Sequence, residues 1–280
     1  MVSLTNRSPS PRKALGQHYL LDQDIVHTIV RSADLAPTDI IVEIGPGPGT
    51  LTKLLVAEAG QVVAIEMDPA LAAALPRRLG NPSNLVVVND DARTTDLSQL
   101  TPKGDGYKMV SNLPYYAAAP IMRRFLEESL VKPSAMVVML QKEVAQSILA
   151  ADGRMSLLAV AVHIYGKPTH VCDVPASAFR PKPKVNSAVI RIDILPSPAV
   201  GVDDLEGFFN VVRAGFAAPR KQLRNSLSQG LDITPQEASG LLERARLDAT
   251  LRAETLTLDD WAGLHRAVSL LRVTEGADGS

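Results

Sequence analysis

The chain has 280 residues, 46% hydrophobic, 21% charged and only 4% aromatic, with 29 basic against 30 acidic side chains. That is a soluble globular composition, able to bury roughly 75% of its unfolded surface without metal or disulfide support. A single cysteine, Cys172, excludes an internal disulfide framework and fits a reducing compartment, while the polar residues 1–11 and the lack of any run near the roughly 18 apolar residues of a membrane span argue against export and insertion. The expected location is the cytoplasm, and the length predicts about two domains.

In chain order, residues 22–30 place Ile25, Val26, Ile29 and Val30 at helical spacing, with Asp22 available as an N-cap. Residues 40–44 are an apolar run of strand length, followed by a glycine turn and by Leu51, Leu54 and Leu55 on one helical face. Strand-like runs at 61–66, 85–89, 107–111 and 135–140 alternate with helical patterns such as 69–79 and 117–127, and a helix follows at 141–150. Such alternation predicts an α/β fold with a mainly parallel, doubly wound sheet.

Residues 156–165 and 188–194 read as two more strands. The second alternates Val189, Arg191 and Asp193 against Ile190, Ile192 and Ile194, as an antiparallel strand near an edge does. Pro196, Pro198 and Gly201 then break the pattern, and a domain boundary is expected there. Helical patterns at 205–216, 221–227, 235–244 and 258–271 predict a small all-α domain. The expected division is 1–195 for the first domain, 202–273 for the second and 274–280 for a disordered tail.

Segment 43–50, Glu-Ile-Gly-Pro-Gly-Pro-Gly-Thr, sits between the first strand and its helix, where doubly wound folds place ligands. Gly45, Gly47 and Gly49 follow the spacing G-x-G-x-G, which departs from the G-x-G-x-x-G that seats a pyrophosphate. A nucleotide-like ligand lacking pyrophosphate fits better, and a plain structural turn is the other reading. Glu66 ends the second strand and could accept from both ribose hydroxyls, unless it is only a solvated strand-end acid. Asp91, with Asp90 as its alternative, could accept from an adenine exocyclic amine.

The fourth strand ends in Asn112-Leu113-Pro114-Tyr115. The set offers a side-chain carbonyl, backbone carbonyls fixed by the proline, and an aromatic face. It suits an exocyclic amine on a planar base. Such an amine is a poor nucleophile, but acceptors aimed at its hydrogens favour the pyramidal, attacking geometry while stacking holds it in place.

Net charge is −1, yet it is uneven: eight Lys/Arg against four Asp/Glu over 180–224, and five against nine over 225–280. A locally basic stretch can bind phosphates although the total is near neutral. The five histidines and Cys172 lack metal-ligand spacing, so no metal is expected. There is no G-x-S-x-G elbow and no Walker lysine.

Eight motifs together make the chain similar to the ribosomal RNA adenine N6-dimethyltransferases over nearly its whole length. They are 13–20 (KALGQHYL), 43–52 (EIGPGPGTLT), 66–68 (EMD), 91–92 (DA), 112–115 (NLPY), 140–144 (LQKEV), 179–189 (FRPKPKVNSAV) and 215–227 (GFAAPRKQLRNSL). The last two lie outside a generic methyltransferase core and favour the small-subunit enzymes over the related resistance methylases of the large subunit. The resemblance implies a Rossmann-like S-adenosylmethionine-dependent methyltransferase sheet with a small all-α C-terminal domain. It implies cofactor contacts from His18, Leu20, Gly45, Glu66, Asp91 and Asn112.

By the same resemblance, Asn112 and the Leu113 carbonyl, in the turn set by Pro114, would hold the target amine, and Tyr115 and Phe179 would sandwich the target adenine. Two adjacent adenosines in a hairpin loop near the 3′ end of small-subunit RNA would each receive two methyl groups, as a step of ribosome biogenesis on a 30S assembly intermediate. Arg180, Lys182, Lys184, Arg220, Lys221 and Arg224 would bind RNA phosphates, with weaker help from Arg12 and Lys13. A monomer is expected. Two departures stand out: His18 replaces a common Asn while keeping a polar donor, and the continuation 116–120 (YAAAP) is less polar than usual. A non-catalytic RNA-binding assembly factor is the main alternative, against which the 112–115 motif argues. A nicotinamide oxidoreductase is disfavoured by the glycine spacing.

Overall fold

The computed structural model describes residues 17–96, 106–129, 131–150 and 153–277, with side chains described as far as residue 270. Residues 13–16 of the first motif, and Arg12 with them, lie outside the described residues. The chain forms two compact units, one made of the residues up to Ala145 with Lys167–Ile194, the other of Gln146–Gly166 with the residues from Leu195 on.

The first unit is built on a seven-stranded sheet. Its strands are β2 (Ile40–Ile44), β3 (Gln61–Ile65), β4 (Leu85–Val88), β5 (Lys108–Asn112), β6 (Ala135–Gln141), β7 (Gly166–Val174) and β9 (Ser187–Ile194), in the order β4-β3-β2-β5-β6-β9-β7. The pairs from β4 to β6 are parallel and β9 runs antiparallel to β6, as its alternating pattern predicts. Strands β2, β3, β5 and β6 have almost every side chain buried, which is why they read as mainly apolar rather than alternating runs. A two-stranded ladder joins β1 (Tyr19–Leu20) to β8 (Phe179–Arg180), pairing Leu20 with Phe179.

Helices α1 (Gln23–Ser32), α2 (Thr52–Glu58), α3 (Pro69–Arg78) and α4 (Ala118–Glu127) belong to the same unit. Asp22 caps α1 as its sequence position suggests, accepting from the Asp24 and Ile25 N–H groups at 3.1 and 3.2 Å. Val26, Ile29 and Val30 of α1 and Leu55 of α2 pack with Ile41, Val62, Val110, Val137 and Val189 of the sheet in one core cluster. Helix α5 (Lys142–Leu149) runs through the point where the chain passes from the first unit to the second.

The regular elements of the second unit are helical: α6 (Leu157–Tyr165), α7 (Leu205–Gly215), α8 (Leu223–Leu231), α9 (Pro235–Arg244) and α10 (Leu258–Ala277). Its centre is the fully buried Trp261, and a Cβ on Gly215 would come within 2.3 Å of that indole, so only glycine allows α7 this close. Phe216 stacks on the indole at 5.6 Å, and Phe208, Phe209 and Tyr165 form a further aromatic group, with Phe209 stacked on Tyr165 at 6.0 Å.

Four expectations need correction. Residues 156–165 form a helix, not a strand: the run is buried on all sides, and such a helix has no polar face for periodicity to detect. Its signal was Ser156, whose hydroxyl accepts from the Ala159 N–H at 3.2 Å as an N-cap. Strand β7 follows, unexpected because Pro168 interrupts it; an edge strand tolerates the missing donor. The domain boundary is therefore not a single cut near 195, since 146–166 joins the helical unit. Residues 274–277, expected in a disordered tail, continue α10.

Candidate active site

A crevice opens past the carboxyl ends of β2 to β5, lined by residues from five separate stretches: 17–20, 43–51, 65–67, 90–92 and 112–121. The glycine segment turns sharply there. Gly45, Gly47 and Gly49 all have left-handed φ values, +67°, +56° and +88°. A Cβ at Gly47 would meet the Tyr19 ring at 3.3 Å, and one at Gly49 would meet Leu75 at 2.7 Å, so both strain and space demand glycine.

Glu66 follows β3 and is 6% exposed. Its Oε2 accepts from the Gly47 N–H at 3.0 Å and its Oε1 from the Asp68 N–H at 2.9 Å. One carboxylate thus ties the glycine turn to the next strand end, and each oxygen keeps a lone pair for a ligand hydroxyl. Burial pushes its pKa up against these two hydrogen bonds. Glu43, at the end of β2, is 2% exposed, and its Oε2 has no hydrogen-bond partner among the described residues. Burial raises its pKa to about 8, against a side-chain hydrogen bond from Thr52 and with the charge of Glu66 adding to the shift. Glu43 lies within the 43–52 motif, but its position there predicts no role.

Asp91 is anchored differently. Its carboxylate pairs with Arg93 through Nε at 3.0 Å and Nη2 at 2.6 Å, and this hydrogen bonding holds its pKa below the ordinary carboxylate value. Asp90 also borders the crevice, but its Oδ1 accepts from the Asp91 N–H at 2.7 Å.

At the end of β5, the buried Ser111 hydroxyl accepts from the Ile44 N–H at 2.9 Å, locking β5 to β2 just before the motif. Asn112 is half-buried on the crevice, and the buried Leu113 lies beside it in the crevice lining. The Ala117 N–H donates to the Pro114 carbonyl at 3.0 Å, closing the turn that displays Tyr115 and Tyr116. Tyr115 is half-buried; its hydroxyl lies 2.6 Å from Ser187 Oγ, and its ring stacks with His18 at 5.9 Å and 26°. Burial raises the Tyr115 pKa, so the ring is a neutral aromatic face at physiological pH. His18 Nδ1 lies 2.6 Å from the Pro181 carbonyl. Nδ1 donates to that oxygen, which leaves Nε2 as the ring nitrogen for a ligand.

All six expected cofactor positions, His18, Leu20, Gly45, Glu66, Asp91 and Asn112, come together on this crevice, as do Leu113, Pro114 and Tyr115. Phe179 does not. Its ring is 2% exposed and packed with Leu20, Val26, Ile29 and Val174, because the β1–β8 ladder turns it into the core. It forms no second half of an aromatic clamp here. Arg180, Lys182 and Lys184 are exposed on the first unit; on the second, Arg220 and Lys221 are exposed just before α8 and Arg224 is half-buried in its first turn. Among the described residues no group of three metal-binding side chains exists, and no helix is long and apolar enough to cross a membrane.

A family model described as ribosomal RNA adenine dimethylase matches residues 9–264. The chain is 43% identical over 252 residues to a ribosomal RNA small subunit methyltransferase A of Dehalococcoides mccartyi, covering 89% of this chain and 86% of that one. It is 41% identical to a protein of the same name from Alkaliphilus metalliredigens, covering 92% and 91%. A solved dimethyladenosine transferase from Plasmodium falciparum superposes with a TM-score of 0.70 at 25% identity, over 91% of this chain and 97% of the other. The 23S rRNA methyltransferase ErmE does so at 0.65 and 26%, over 90% and 99%.

Proposed function

This chain belongs to the ribosomal RNA adenine dimethylase family, and from that premise we propose how its crevice performs the reaction. The protein is an S-adenosylmethionine-dependent methyltransferase that dimethylates adenine N6 in small-subunit ribosomal RNA. Its targets are two adjacent adenosines in a hairpin loop near the 3′ end, presented by a 30S assembly intermediate in the cytoplasm, and the enzyme works as a monomer.

The donor set fits the cofactor. Glu66 offers lone pairs to ribose hydroxyls and Asp91 to an exocyclic amine, while Gly45 and Gly47 bring bare backbone to the crevice. Bound there, S-adenosylmethionine supplies an electrophilic sulfonium methyl group. The chain's own residues do the rest. Asn112 Oδ1 and the Leu113 carbonyl accept from the target N6 hydrogens, and Tyr115 holds the base by its face. Ser187 fixes the Tyr115 hydroxyl, and the His18 ring stacks against the Tyr115 ring. No strong general base is required, since the amine loses its proton after attack.

The basic residues 180, 182 and 184, and separately 220, 221 and 224, contact RNA phosphates. Cations in the first turn of α8 oppose the helix dipole, so Arg224 costs stability unless an anion meets it.

One observation carries this reading: five stretches scattered over the chain converge on one crevice with the 112–115 turn at its side. Methyl-labelled S-adenosylmethionine incubated with the protein and under-methylated small subunits should label the loop adenines. Intact cofactor binding with no transfer would refute the proposal.

A further inference from the structure

Tyr116 is the only aromatic among the exposed large hydrophobic side chains of the described residues, at 52% exposure. It sits on the crevice rim, one residue beyond Tyr115, and nothing in the mechanism above uses it. One face of its ring is not bare: the Arg93 guanidinium carbon lies 5.6 Å from the ring centroid.

That cation is held by a scaffold. Arg93 is forked onto Asp91 through three contacts of 2.6 to 3.0 Å. The Asp91 carbonyl accepts from the Thr94 and Thr95 N–H groups at 2.9 and 2.8 Å, closing a turn. Arg124 of α4 pins this turn from behind, donating to the Ala92 carbonyl at 3.1 Å and to the Thr95 carbonyl. The rim therefore presents a fixed guanidinium and an exposed aromatic ring side by side, next to the residue that holds the target base.

A planar ring backed by a cation is what an unstacked nucleobase recognises, through stacking that tolerates any base and through the adjoining positive charge. A loop substrate splayed enough to place one adenine on Tyr115 exposes the face of its neighbour at the same moment. We propose that Tyr116, backed by Arg93, seats the nucleobase of the nucleotide adjoining the target adenosine in the RNA. The seat rests on the reading of the crevice as an rRNA adenine methyltransferase site. It gives the enzyme a hold on one adenosine of a pair while the other reacts.

Full-length protein, under-methylated small subunits and labelled S-adenosylmethionine supply the test, with Tyr116→Ala, Tyr116→Leu and Tyr116→Phe compared. Leucine keeps the bulk and lacks the π face. The Ala and Leu variants should raise KM for subunits about tenfold, while kcat and calorimetric cofactor affinity stay within about twofold. The Phe variant should match the unsubstituted protein. A KM unchanged in both Ala and Leu variants overturns the seat, as does a loss confined to cofactor affinity. If the unsubstituted protein transfers no methyl to subunits, the underlying reading fails and the seat with it; normal transfer with an indifferent Tyr116→Ala defeats the seat alone.

Discussion

The crevice has a floor and a rim made from the same chemical groups in opposite states. On the floor, Glu43 and Glu66 are buried, their pKa values are raised by desolvation, and Glu66 is satisfied by backbone N–H groups. On the rim, Asp91 is a lowered-pKa carboxylate ion-paired to Arg93, beside an exposed tyrosine. A carboxylate that must hold a ligand out of water is stored in the floor at a cost in stability. One that must stay accessible is kept charged by a partner. Substitutions in the buried layer should therefore move stability and binding together, and those on the rim binding alone.

The largest effect separates core from crevice. Phe179→Ala should destabilise the fold by about 3–5 kcal/mol as a buried aromatic truncation, read as a denaturant midpoint shift. Tyr115→Ala should cost less, about 1–2 kcal/mol for the lost Ser187 hydrogen bond, and abolish most transfer. Equal stability losses would erase the distinction between the two rings. On the floor, Glu66→Gln should weaken S-adenosylmethionine by roughly tenfold to a hundredfold, as loss of a charged hydrogen-bonding group does, in a calorimetric titration.

The pH dependence of stability sharpens the floor. A folded pKa near 8 for Glu43, against 4.5 for the free side chain, means its stabilisation is complete below 4.5 and is lost as pH rises through about 8. The slope should approach about 1.4 kcal/mol per pH unit between these limits, and Glu43→Gln should flatten much of it in denaturant titrations run across that range. The smallest effect belongs to the rim: Asp91→Asn should weaken cofactor binding only about threefold to tenfold, with an unchanged melting temperature. A melting shift as large as that of the floor variants would break the comparison.

Much of this was legible in the residues. The glycine turn, Glu66, Asp91 and the 112–115 turn each sit at a strand end, and strand ends are readable because parallel strands are short continuous apolar runs. What periodicity could not supply was anything whose role depends on burial from several directions. Helix α6 was hidden because all its sides are apolar, and β7 because Pro168 masks an edge strand. Phe179 entered as a clamp only through the family resemblance, and only the pairing of two-residue strands β1 and β8 reveals that the ring turns inward. The Ser187 contact to Tyr115, 72 residues away in sequence, left no local trace.

The most direct test of the shared crevice is nucleoside mass spectrometry of under-methylated small-subunit RNA after incubation with S-adenosylmethionine and either the unsubstituted protein or Asn112→Ala. The account predicts N6,N6-dimethyladenosine with the former and a drop of at least about a hundredfold in its rate of formation with the latter. Equal dimethyladenosine from both proteins, or methyl groups on any other nucleoside, would contradict it.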